Sequence, residues 1–156
     1  METPVDLLPY LRHGQSLIGL DLGSKTIGVA VSDALRGIAT PLETLPRGKF
    51  TGDAGKLAAI AAHRGAGGFV IGLPRNMDGS EGPRAQASRA FGRNLARATD
   101  LPVALWDERL STVAVERQMI AEDRSRAKRA AAVDRMAAAF ILQGALDRLA
   151  WVAREG

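Results

Sequence analysis

The chain has 156 residues, 46% of them hydrophobic, enough for one domain with a substantial core and too apolar for a disordered chain. With 21 basic residues against 17 acidic it carries a net charge of +4, which permits a polyanionic partner. Cysteine is absent, which excludes disulfides, a thiolate nucleophile and cysteine-bound zinc, and fits a reducing cytoplasm. The start, "METPVDLLPYLRHG", lacks the basic and apolar regions of a signal peptide, and no uninterrupted apolar run reaches membrane-spanning length, so no membrane partner is expected.

Residues 1–15 read as an irregular lead-in that docks on a single domain at 16–150, with 151–156 as a tail. Leu17–Leu22 and Thr26–Ser32 are apolar, β-branched segments joined by Gly-Ser-Lys, a hairpin pattern, and Ile38–Leu45 reads as a third strand after the turn "DALRG". "PRGKFTGDAG" is a loop, with Asp53 placed to cap a helix over 54–64. "GGFVIGLP" is a short buried strand, "RNMDGSEGP" a loop, and 82–99 a helix. "LPVALW" is a fifth strand. A helix from Ser111 to about Glu122 follows "DERL", and Ser125 caps a last, Ala-rich helix to about Ala150. This order predicts an α/β fold whose mixed five-stranded sheet has three antiparallel strands and then two parallel ones, with helices on both faces.

"IGLDLGSKTIGVAVSD" places an acid, Asp21, where a strand should fill a core. Asp is depleted from strands and costly to bury unpaired. Strand alternation puts Leu17, Gly19 and Asp21 on one face, with Asp21 near the carboxyl end, the edge where open α/β sheets hold their sites. The fourth strand runs into Arg75, Asn76, Asp78 and Gly79 at that edge, and the fifth into Asp107, Glu108 and Arg109. In the last helix Asp134 is flanked three and four residues away by Ala130, Ala131, Ala137 and Ala138, so it has no helical cation partner and lies on a small apolar stripe facing the sheet. Asp21, Glu108 and Asp134 brought to one edge repel one another. Mg²⁺ or Mn²⁺ relieves that repulsion, and two such ions serve phosphoryl displacement. His13 and His63 read as surface residues.

Four blocks in order, "GLDLGSKTIGVAVSD", "VIGLPRNMDGSEGPRA", "DERLST" and "KRAAAVDRMAAAFIL", resemble the YqgF family over about Leu17 to Leu149. That resemblance implies an RNase H-like fold related to Holliday-junction resolvases. It implies a nuclease maturing the 5′ end of the small-subunit ribosomal RNA precursor, with Asp21, Glu108 and Asp134 as its acids. The first turn departs from the common pattern, since Thr26 stands where many relatives have arginine. Phosphate contact from that turn then falls to Lys25. Arg75 and Arg109 read either as phosphate contacts or as partners of neighbouring acids, and Asn76, Asp78 and Gly79 either as a substrate-positioning loop or as a tight turn capping the next helix through Asp78 or Ser80. Arg124, Arg126, Lys128 and Arg129 read either as a nucleic-acid-binding run or as a solvated helix start, although cations there oppose the helix dipole. The expected partner is nucleic acid: pre-rRNA first, a DNA junction second, with a ribosome possible. The chain would act as a monomer or homodimer, a dimer suiting a two-fold symmetric junction. Two other classes fit parts of the pattern. The first hairpin resembles the phosphate loop of actin-like ATPases, but a single domain with one such hairpin argues against ATP binding. A non-catalytic module keeping the acids would look the same in sequence.

Overall fold

The structure, a computed structural model, describes the backbone of residues 2–110 and 126–155 and the side chains of 2–110 and 133–154. The expected helix over Ser111–Glu122, Arg124 and the Ser125 cap lie outside the described residues.

Five strands, β1 (Ser16–Leu22), β2 (Thr26–Ser32), β3 (Ala39–Pro46), β4 (Ala66–Leu73) and β5 (Val103–Asp107), form one sheet in the order β3-β2-β1-β4-β5. β1, β2 and β3 pair antiparallel, and β4 and β5 join parallel to β1. Parallel addition needs a crossover, which α1 (Phe50–Arg64) and α2 (Pro83–Thr99) provide. The expected mixed sheet is therefore the observed one.

The core has two layers. Ile18, Leu20, Ile27, Val29, Phe69, Ile71 and Leu105 face Leu57 of α1 and Phe91 and Leu95 of α2. Leu17, Ala30, Val70, Ala104 and Trp106 face α3 (Arg126–Glu155), which buries Ala137, Ala138, Ile141, Leu142, Ala145 and Leu146. By length and composition alone Val133–Arg154 is long and apolar enough to cross a membrane; here it is the core helix of the second layer.

Small residues set how closely α3 approaches. A Cβ on Gly19 would lie 2.6 Å from Leu142 Cβ and 2.9 Å from the Ala138 carbonyl, and a Cβ on Gly28 would overlap the Asp134 carbonyl. On the helix side, Gly144 receives the Trp106 indole, 2.7 Å from where its Cβ would stand.

Two boundaries differ from expectation. α1 begins at Phe50, because Asp53 does not cap it from outside: it sits in the first turn and its carboxylate accepts the Gly48 N–H at 3.1 Å. Residues 4–10 form a short 3₁₀ helix whose Leu7 is fully buried against the α3 layer. Glu2, Thr3 and Pro4 border β5, one sheet edge, while β3, the other edge, carries Pro41 and Pro46.

Gly28→Ala should cost about 1–3 kcal/mol, because α3 must back away from the sheet. Gly55→Ala, in α1 with open space around it, should instead add about 0.5–1 kcal/mol. Urea unfolding of both variants measures this contrast.

Candidate functional site

Register builds the site. Asp21 pairs with Gly28 on β2. On its other side the parallel pairing of Leu20 with Ile71 sets it beside Gly72 of β4. Asp21 is therefore a buried acid, 8% exposed, with a glycine on each flanking strand. Each glycine leaves room for an acid from elsewhere. The Asp134 backbone lies over Gly28, and Glu108 Oε1 would be 2.8 Å from a Cβ on Gly72. The three acids singled out in the sequence thus occupy one row across the carboxyl edge of the sheet, contributed by a strand, a helix and the turn after β5.

Thr26 belongs to the same row. Its hydroxyl donates to Asp134 Oδ2 at 2.6 Å, across 108 positions of sequence. The residue that departs from the common pattern therefore orients one of the acids. Nothing local in the sequence signals that pairing.

All three carboxylates offer oxygen donors, the chemistry hard divalent cations take. These residues fit such an ion by donor type. Among the described residues no three His, Asp or Glu side chains are already arranged as a coordination shell. The Thr26 bond holds one Asp134 oxygen, so closing a shell requires that carboxylate to turn or to coordinate through its other oxygen.

The loops around the row are tightly engaged. Arg109 grips Asp107 through Nε and Nη2, the latter at 2.7 Å from Oδ2. Arg75 lies 3.2 Å from Glu81 and 3.5 Å from Asp107. Arg89 donates to Glu81 at 2.6 and 2.7 Å and also binds Glu2. Of the two sequence readings of Arg75 and Arg109, the structure has both arginines paired with acids. The Arg109 bond holds the Asp107 carboxyl below the usual carboxylate range, and the Arg89 bond does the same for Glu81. Asn76 and Asp78 close a turn: Asn76 Nδ2 donates to Ser80 Oγ at 3.0 Å, and Asp78 accepts from the Ser80 N–H and hydroxyl. Gly79, at φ +89°, supplies the left-handed residue this turn needs. The turn does not cap α2, whose N-cap is Gly82.

Lys25 is exposed in the β1–β2 turn, and its carbonyl accepts the Arg47 N–H at 2.8 Å. Arg47 also donates to the Gly23 carbonyl at 2.6 Å and lies over the Phe91 ring. Sequence reasoning passed over Arg47, since it sits in a Pro- and Gly-flanked loop with no motif of its own. Arg126, Lys128 and Arg129 fall on the opening turns of α3, with their side chains outside the described residues.

The sheet order and the acid row beneath a C-terminal helix define an RNase H-like α/β protein. In fold the chain is similar to Thermus thermophilus RuvC in complex with a Holliday junction substrate, with a TM-score of 0.53 at 14% identity, covering 91% of this chain and 96% of that one. The family model described as "RuvX: Holliday junction resolvase" matches residues 15–148, and the chain belongs to that family. It is 69% identical to a Nitrobacter hamburgensis protein named "Putative pre-16S rRNA nuclease", over 97% of this chain and 96% of the relative. It is 63% identical to a Cereibacter sphaeroides protein of the same name, over 97% and 94%. A Rhodopseudomonas palustris protein, again of that name, is 67% identical over 89% and 87%.

Because the Asp107 and Glu81 carboxyls are held low, the stability they contribute is present above their unfolded value near pH 4 and is lost as pH falls through the folded one. Asp107→Asn should therefore flatten the fall in stability below about pH 4, as read by urea unfolding across pH 5 to 2.5.

Proposed function

We propose that the chain is a divalent-metal-dependent nuclease that cleaves phosphodiester bonds in the precursor of the small-subunit ribosomal RNA, in the cytoplasm, as a monomer or homodimer. The observation that carries this reading is the row Asp134–Gly28–Asp21–Gly72–Glu108, in which the Asp134 backbone packs on Gly28 and the Glu108 carboxylate on Gly72, on either side of Asp21. Asp21, central and buried, would be shared between two ions, with Glu108 and Asp134 each completing one side. When bound, Mg²⁺ or Mn²⁺ supplies Lewis-acid stabilisation and lowers the pKa of the attacking water. No side-chain general base is then required. Thr26 holds Asp134 in the row, and the turn at Asn76–Ser80, against which Arg109 lies, shapes the approach.

The names of the relatives support pre-rRNA as the substrate. The description of the family model supports a second reading, cleavage of a branched DNA junction, for which a dimer is expected.

Asp21→Asn, Glu108→Gln and Asp134→Asn should each abolish Mg²⁺- or Mn²⁺-dependent cleavage of single-stranded RNA, while the proteins remain folded by circular dichroism. Products should carry 5′-phosphate and 3′-hydroxyl ends, and a 2′,3′-cyclic phosphate would overturn the mechanism. Cutting of four-way DNA junctions with RNA left intact would favour the second reading. Thr26→Val should weaken Mn²⁺ binding by about tenfold in calorimetry, with Thr26→Ser retaining it, as for other residues that orient metal ligands.

A further inference from the structure

The arginines at the carboxyl edge of the sheet divide into two groups. Arg75, Arg89 and Arg109 are paired with Glu2, Glu81 and Asp107. Arg47 and Arg84 make no ion pair among the described residues, and both line one cleft of about 140 Å³ with Leu22, Gly23, Ser24 and Ser88. Among the described residues no carboxylate lines it. That volume is several times the roughly 30 Å³ share of one water, enough for a tetrahedral oxyanion.

The cleft is built from three sides. The β1–β2 turn contributes Gly23 and Ser24, and Arg47 is fixed there by its bond to the Gly23 carbonyl and by the Phe91 ring. The first two turns of α2 contribute Arg84 and Ser88. This helix has 17 residues, no side-chain cap and no acid in its first turn, so its N-terminal dipole is left for an anion. The independent observation is Ser88. It is only 5% exposed, it lines the cleft, and among the described residues its hydroxyl has no hydrogen-bond partner. Its side chain is buried but its hydroxyl is not sealed off from the cleft, so it is placed to donate to a ligand there.

Leu22 and Gly23 directly follow Asp21. The cleft and the acid row therefore flank the end of one strand, the row on the α3 side and the cleft on the α2 side. We propose that this cleft binds a backbone phosphate of the nucleic-acid strand, adjacent to the phosphate presented to the acid row. The Arg47 and Arg84 guanidiniums and the Ser88 hydroxyl donate to its oxygens. This assignment rests on the nuclease reading and identifies where the substrate is gripped beyond the acids.

The test is the binding of a short single-stranded oligoribonucleotide to the full chain in EDTA, so that affinity is read without cleavage or metal. Arg84→Gln and Ser88→Ala are the variants, since Arg84 is exposed and Ser88→Ala removes only a hydroxyl. Arg84→Gln should weaken binding about tenfold at low salt and reduce the slope of log K against log salt by about 0.7. Ser88→Ala should weaken it in the same direction. Both differences should vanish with an oligonucleotide of uncharged methylphosphonate linkages. Unchanged affinity and slope in both variants, or no oligonucleotide binding by the wild type, overturns the proposal. Inorganic phosphate raising the melting temperature of the wild type, with oligonucleotide binding indifferent to Arg84→Gln, makes this a free-phosphate site and also overturns it. If Asp21→Asn keeps cleavage while Arg84→Gln still lowers the salt slope, the acid row has been misassigned and the phosphate subsite stands.

Discussion

Everything at the candidate site depends on how closely α3 can lie against the sheet. A helix packed on a sheet is normally held off by the side chains of both. Here Gly19 and Gly28 on the sheet and Gly144 on the helix remove those side chains where the surfaces meet. The close approach brings a helical acid, Asp134, down to a strand acid, Asp21. Without it the two carboxylates would be separated by a layer of apolar side chains, and Thr26 could not reach Asp134 across the gap. The packing that stabilises the second core layer is thus also what assembles the acids.

Charge is partitioned with similar economy. The strand ends bring acids and arginines into one neighbourhood, and three arginines are consumed in holding the loops: Arg109 on Asp107, Arg75 between Glu81 and Asp107, Arg89 between Glu81 and Glu2. Exposed ion pairs contribute little individually. A shared network around one loop still restricts how that loop can move. Arg75 and Arg109 both reach Asp107, the chain neighbour of Glu108, so the network ends beside the row.

Much of the fold was legible because its signals are local. The β1–β2 hairpin announces itself by β-branched residues around Gly-Ser-Lys, and β4 and β5 by short apolar runs ended by Pro74 and Asp107. Asp21 and Asp134 stood out as acids on apolar faces, and Glu108 as one of the polar groups at a strand's carboxyl end. What was not legible is long-range. The Thr26–Asp134 bond joins residues 108 positions apart, and Arg47 reaches the first turn from beyond β3. The pairing of Arg75 and Arg109 with acids could be named as an alternative but not chosen, since it depends on where Glu81 and Glu2 arrive. Asp53 misled for a related reason. It has the chemistry of a cap, yet Phe50, Thr51 and Gly52 before it are already helical, which puts it inside the first turn.

The two borders of the sheet are finished differently, and this bears on self-association. β3 carries prolines at 41 and 46, each lacking the amide hydrogen that an added strand would need. β5 has Glu2, Thr3 and Pro4 running beside it, tied down through Arg89 and through the buried Leu7. Trimming or extending the first few residues would therefore do more than alter a terminus. It would release Arg89 from Glu2 and remove the segment that walls the cavity beside β5, changing the margin of the sheet as well as the end of the chain.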